Sequence, residues 1–288
     1  MKMKNCKNKS AHVVLIAIAI LAFTSLTIKA AIPIERLSQG VVFLRENNSD
    51  QSKYGTGFFV KHGEKLYLVT ASHVSVSLTN QSMVTIASTN GRPFTFQLKD
   101  LIPQKDPFKL SFYPPKESLK WITHPIADVA VLCLNPSKQF FDDHLAGHVL
   151  PSSYLERNKE APPRSLTLTV IGFPLQLGAS EYFSPISRET KTASGLLEIP
   201  RFDNKVISPF FITQDPSIGG FSGAPLFDTR LPYSTATTAL QIEVGGEPRI
   251  VGLVHGTLSD STGGKMGAIV PAFLILETLD QDNTLSKQ

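Results

Sequence analysis

Gly219-Gly-Phe-Ser-Gly-Ala-Pro-Leu-Phe227 reads GGFSGAPLF. A serine lies among glycines, and Pro225 opens the apolar run behind it. A turn serine ordinarily satisfies a local hydrogen bond. Here the glycines also let other backbone come close. A serine hydroxyl is a weak nucleophile at neutral pH. To attack a carbonyl it needs a base for its proton, a group that orients the base, and N–H donors facing the oxyanion that develops. Whether Ser222 has these is decided elsewhere in the chain.

A base stands at His73, in Leu68–Val74 (LVTASHV). It follows a strongly apolar run and so would emerge at the rim of a sheet. Upstream, Gly55–Val60 (GTGFFV) supplies a glycine-bounded strand to pack beside it. An acid stands at Asp128, which opens one of the most apolar runs, Asp128–Leu134 (DVAVLCL). A carboxylate there is costly unless something binds it. Singly, each residue has an ordinary explanation as a turn histidine, a strand-opening aspartate and a turn serine. Together they supply a nucleophile, a base and an orienting acid, in the order His, Asp, Ser.

Around them, short runs rich in β-branched and aromatic residues recur between Gly, Pro, Asn and Asp. Strands are expected at 40–45, 57–61, 66–70, 83–88, 93–98 and 128–134. A second set is expected at 166–173, 193–199, 209–213, 224–227, 240–244, 250–254 and 266–270. His62-Gly-Glu-Lys65 makes a tight hairpin turn. Segments 180–192 and 229–239 read as loops. Only Pro271–Leu279 (PAFLILETL) reads as a helix, with proline suited to its first turn. The stretch 145–164 is rich in proline and charge and divides the chain. The expected fold is all-β: two six-stranded antiparallel β-barrels, residues 31–150 and 151–288, closed by a C-terminal helix.

The first 30 residues are different. Four lysines precede an apolar run of 11 residues, Val13–Phe23, and small residues follow at Ala30 and Ala31. This is the layout of a secretory signal peptide, 1–30, and the run is short for a membrane span. The expected protein is exported, periplasmic or secreted, with no stable membrane anchor after cleavage. The segment holds five lysines and no acid. The 28 basic residues less these five leave 23 against 24 acidic, a net of −1. The basic pI belongs to the export signal, and no basic stripe suggests nucleic-acid binding. Cys6 leaves with the signal, and Cys133 then has no partner, so no internal disulfide is expected.

The constellation resembles the trypsin-like, chymotrypsin-fold serine peptidases, in the bacterial branch that includes the glutamyl endopeptidases and the protease domain of HtrA. The matching pieces are GTGFFV, LVTASH, ADVAVL, VIGFP (Val170–Pro174), GGFSGAP, IVGLVHG (Ile250–Gly256) and the closing KMGAIVPAFLILETL. The resemblance implies a serine endopeptidase acting on a protein or peptide substrate through an acyl-enzyme. It implies Ser222 as nucleophile, His73 as general base and Asp128 as its orienter. It also implies an oxyanion hole from the backbone N–H groups of Gly220 and Ser222, and no cofactor. With few residues after the last helix, no peptide-binding PDZ domain is expected there.

The sequence departs from the family around the serine. Phe221 replaces the usual Asp or Asn and cannot brace the loop by a polar contact. Ala224 stands where a second glycine is usual. His255 takes the place of a serine that touches the orienting aspartate. Strand alternation turns its neighbour Val254 to the other face, which argues against glutamate specificity. Asp215, Phe221, Val254, His255 and Gly256 are the candidate substrate-binding residues. Asp142–His148 (DDHLAGH) spaces two histidines four apart, a metal-like spacing. Gly147 interrupts it and no third ligand follows, so a solvated loop and no metal are expected. Two rival readings stand beside this one. An α/β-hydrolase elbow requires an acid and then a histidine after the serine, and only His255 follows. A catalytically silent peptidase-fold binding module requires that Phe221 and His255 misform the oxyanion loop.

Overall fold

The computed structural model describes residues 34–47, 53–102, 119–229 and 247–285. The signal segment, most of loop 229–239 and the strand expected at 240–244 lie outside these residues. The first set of apolar runs forms β1 (Val41–Arg45), β2 (Tyr54–His62), β3 (Lys65–Thr70), β4 (Met83–Ala87), β5 (Pro93–Gln97), β6 (Ile122–Thr123), β7 (Ala130–Leu134) and β8 (Val149–Pro151). They make one sheet in the order β5-β4-β1-β2-β3-β7-β6, with β8 pairing β2 off this path. The second set forms β9 (Thr167–Gly172), β10 (Ile186–Lys191), β11 (Leu197–Pro200), β12 (Ile207–Thr213), β13 (Pro225–Asp228), β14 (Arg249–Ser259) and β15 (Lys265–Pro271). Their order is β10-β9-β13-β14-β15-β12-β11.

Two β-sheets and a C-terminal helix are thus as expected. The strand count is corrected. Among the described residues there are eight and seven strands, not six and six, and neither ladder closes. The extra strands are short. β6 has two residues, and β8 has three and runs parallel to β2. β8 falls inside the stretch 145–164 that reads as poor in β pattern. Segment 180–192 is also corrected, because β10 pairs with β9 over six residues. Its sequence ISRETK is an edge strand with mostly solvated side chains, so the apolar alternation that marks a strand is missing. The hairpin at 62–65 forms as read: His62 opposes Lys65, and Gly63 takes φ +58°, which its turn position demands.

The first sheet buries Val41–Leu44, Phe58–Val60, Tyr67–Val69, Val84, Ile86 and Val131. The terminal helix, Ala272–Leu285, adds Leu274, Ile275, Leu276 and Leu279 to the same core. Its outer side is clipped to the first sheet and to the connector after β8 by ion pairs and hydrogen bonds. Lys65 Nζ and Tyr67 Oη both donate to Asp282, His62 Nε2 lies 2.9 Å from Asp280, and Lys159 and His124 reach Glu277. His62 Nδ1 also meets Ser152 Oγ at 3.1 Å. This second Ser–His–Asp set works as a clip for the helix.

These contacts fix a pH response. Burial pushes the imidazoles of His124 and His148 below their ordinary value of 6.5. Burial pushes Glu277 and Asp282 up, but the hydrogen bonds from Lys159, His124, Lys65 and Tyr67 outweigh it and hold both carboxyls low. The unfolded chain therefore takes up protons that the folded chain refuses. The histidine contribution is complete above pH 6.5 and declines below it. The carboxylate contribution is complete above 4.5 and is lost as pH falls through the lowered folded values. Thermal melts are expected to hold steady between about pH 7 and 9, and to fall below about 6.5 and again below about 4.5. They are also expected to decline above about 9 to 10, where the half-buried Cys133 thiol and the buried Tyr67 phenol, both held above their ordinary values, keep protons that the unfolded chain gives up. A melting midpoint that rises on acidification from 7 to 5 contradicts this account.

Candidate active site

β3 ends at Thr70, and the chain turns through Ser72–Ser75, one turn of helix that carries His73. β7 pairs with β3 so that Ala130 lies opposite Thr70. Asp128, two residues before Ala130, therefore arrives beside His73. The His73 backbone N–H donates to Asp128 Oδ1 at 2.9 Å, and His73 Nδ1 lies 2.6 Å from Oδ2.

Two groups from the second sheet meet the same carboxylate. His255 Nδ1 lies 2.5 Å from Oδ2, and Arg201 Nη2 donates to Oδ1 at 3.1 Å. Asp128 is fully buried, and His255 and Arg201 are each 3% exposed. Burial alone raises the Asp128 carboxyl, but the hydrogen bonds from His255 and His73 outweigh it and hold it well below the usual range. An ionised carboxylate only accepts, so both Nδ1 atoms carry a proton. His255 Nε2 accepts from Phe202 N–H at 3.1 Å, which makes His255 a neutral ring. Its plane packs against Phe202 and Phe210, with centroids 4.5 and 5.0 Å away. On His73 the lone pair is left at Nε2, the nitrogen a base would use.

His73, Asp128 and His255 are also three metal-capable residues within 4.8 Å of one another. The nitrogen–oxygen separations of 2.5 and 2.6 Å are hydrogen bonds. Ligands sharing one ion sit about 2 Å from it and stand farther apart than that. In the other metal-like stretch, His144 stacks on Phe94 and His148 meets the Gln39 carbonyl, so its two histidines face different partners.

Ser222 sits on the loop before β13. This loop is fastened to the first sheet: Thr56 N–H donates to Ser222 O at 2.9 Å. Gly223 has φ +82°, and a Cβ there would lie 2.2 Å from Thr56 O and 2.9 Å from Ala71 N. Only glycine allows that approach, and it brings the serine loop within two residues of His73 along the chain. Gly220 has φ +105°, and a Cβ there would lie 2.3 Å from Phe173 O. The Gly219 carbonyl accepts from Leu175 N–H at 2.7 Å, and the Gly220 carbonyl accepts from Thr56 Oγ1 at 2.7 Å. Both carbonyls are thereby turned into the protein. The N–H groups of Gly220 and Ser222 have no acceptor among the described residues. Ser222 Oγ donates to the His255 carbonyl at 3.4 Å and is not bonded to His73.

The remaining candidates fall in different places. Phe221 and Val254 are buried together with Phe211, Leu226, Val251 and Ile269. They also line a cavity behind the serine loop, with Asp215 and Arg188 on its wall. Asp215 is paired with Arg188 at 3.4 Å. Gly256 lies against the Phe202 ring. β14 is irregular between Val254 and Gly256, and this bulge aims His255 at Asp128 while Val254 stays in the core.

Sequence reasoning missed Thr56, Arg201 and Phe202. Thr56 is fully buried, donates to Gly220 O and accepts from Phe173 N–H at 3.1 Å. It supplies the polar brace that Phe221 lacks. A hydroxyl inside GTGFFV was its only signal. Arg201 gave none, because it lies in a polar turn far from every motif.

The model of the trypsin-like peptidase domain matches residues 55–231. No curated protein matches the chain. Among solved structures, the HtrA-type protease AlgW with a tripeptide aligns with a TM-score of 0.52 at 16% identity, covering 86% of this chain and 61% of that one. Deg5 aligns at 0.52 and 18%, covering 85% and 89%. The active form of the Rv3671c protease from M. tuberculosis aligns at 0.51 and 18%, covering 86% and 83%. The chain thus spans under two thirds of the AlgW chain, and at these identities the likeness concerns the fold. A domain match over more than half of the chain, on a frame of two largely antiparallel sheets and a closing helix, establishes that the chain belongs to the trypsin-like peptidase family.

Proposed function

We propose that this chain is an exported serine endopeptidase in which Ser222 attacks the scissile carbonyl. His73 Nε2 takes the hydroxyl proton and passes it to the leaving amine. Asp128 stays ionised, fixes the tautomer and stabilises the imidazolium. The N–H groups of Gly220 and Ser222 face the oxyanion. Water then repeats the sequence on the acyl-enzyme. For attack, Ser222 Oγ rotates from the His255 carbonyl toward His73, a move between staggered side-chain wells. Catalytic hydrogen bonds are often made only once substrate is bound.

The observation that carries this reading is the serine loop. A silent binding module requires that Phe221 and His255 misform it. Instead the Gly219 and Gly220 carbonyls are both held away from the site, which favours turnover. Export rests on the basic, apolar and small-residue layout of residues 1–30.

A fluorophosphonate probe tests the proposal. Labelling of the wild-type chain, mapped to the peptide containing Ser222, supports an enzyme. No labelling at any pH from about 6 to 9 supports the binding module. The brace has its own test. Thr56→Val keeps the shape but loses the donor to Gly220 O and the acceptor for Phe173 N–H. Its kcat is expected to fall about 10²- to 10³-fold with KM little changed, as when an oxyanion donor is lost. Thr56→Ser should restore most of the rate. A Val variant with wild-type kcat would remove Thr56 from the account.

A further inference from the structure

We propose that Arg201 is a positioning residue for Asp128, and that the turn joining β11 to β12 thereby makes the His73–Asp128 pair depend on the second sheet. The role in turnover rests on the peptidase reading, whereas the hold itself rests on geometry alone.

A guanidinium is costly to bury unless its donors are met. Arg201 is 3% exposed and every N–H has an acceptor. Nε and Nη2 form a fork on Asp203, at 2.9 and 2.6 Å. Nη2 also donates to Asp128 Oδ1 at 3.1 Å. Nη1 donates to the carbonyls of Ile126 and Ala127, at 3.3 and 2.8 Å. Five N–H groups thus meet five acceptors. Three of the acceptors are Asp128 itself and the two carbonyls just before it. Asp203 orients the fork, and the fork holds both the carboxylate and the backbone that aims it.

The same turn acts a second time. Phe202 N–H donates to His255 Nε2, which leaves the proton on Nδ1 and points it at Asp128 Oδ2. Among the described residues Asp128 has four donors. Two belong to His73, one is Arg201, and the fourth is set by the residue next to Arg201. The turn is internally closed, with Arg201 N–H on Val206 O and Lys205 N–H on Arg201 O. Lys205 takes φ +64° to make it.

The test uses the full chain with ¹⁵N-labelled histidine. Wild type is expected to give two low-field imidazole N–H signals, one each from His73 and His255 against Asp128. His73→Ala should remove one of them. In Arg201→Met, both signals should broaden or shift, and kcat should fall about 10- to 100-fold with KM within about twofold, the loss of one charge-assisted bond. Arg201→Lys keeps the charge without the fork. It should fold and lie between the two, and it decides the matter if Arg201→Met does not fold. A merely structural role lowers the melting midpoint but leaves both signals and kcat where they were, and that result overturns the proposal. If wild type neither turns over nor labels with the fluorophosphonate, the peptidase reading fails. The two signals and their response to Arg201 then still decide the hold.

Discussion

Ser222→Ala is expected to lower kcat/KM on a cleavable peptide by about a millionfold, while leaving the unfolding midpoint where it is. The two halves of this expectation come from the same geometry. Oγ makes a single long bond, 3.4 Å to the His255 carbonyl. Removing it strands no buried donor, and trimming this half-buried hydroxyl is expected to shift stability by no more than about 0.5 kcal/mol. The rate loses its nucleophile outright. What remains is the catalysis that binding and the oxyanion donors give without a covalent step, about 10³- to 10⁴-fold over water. Product release followed by chromatography, beside a melt of the same preparation, checks both. An alanine variant as active as wild type would end the assignment of Ser222.

Asp128→Asn is expected to act on rate and stability together. The asparagine keeps the shape but presents an NH₂ where an oxygen accepted. His73 and Arg201 face one oxygen, and the Nδ1 protons of His73 and His255 face the other. Either orientation sets donor against donor in a fully buried place. Relief comes if His73 moves its proton to Nε2, which removes the base. The rate should drop about 10⁴-fold. The Arg201 guanidinium also loses one of its two carboxylates, and breaking a buried pair costs about 3–5 kcal/mol. Chemical denaturation and kcat/KM on one preparation measure both. An Asn variant with wild-type rate would show that Asp128 does not orient the base. One with wild-type stability would show that its charge is not what the buried donors need.

The contrast between these variants separates the parts of the site that the fold needs from the parts that only turnover needs. Removing Ser222 is expected to carry no structural cost, whereas removing the Asp128 charge is expected to carry a large one. Thr56 and Arg201 belong with Asp128, because their polar atoms are buried and matched.

By itself, the sequence determined most of the elements and singled out the candidate reacting groups. Apolar periodicity encodes burial, and it placed most strands of both sheets and the terminal helix. Glycines at 220 and 223 stand where the backbone goes left-handed and other backbone comes close, and that demand can be read in GGFSGAP. Only the tertiary structure decided how the polar groups pair. β10 carries no apolar stripe because it is a solvated edge. Phe221 reads as a missing brace because the replacement, Thr56, lies 164 residues away from Gly220 in the chain. Arg201 reads as a surface arginine because its partner Asp128 is 73 residues distant. The direction of Ser222 Oγ and the bulge that aims His255 are likewise set by packing. Burial and φ leave a local trace in the residues that must satisfy them. A hydrogen bond between distant side chains leaves none until folding brings donor and acceptor to the same place.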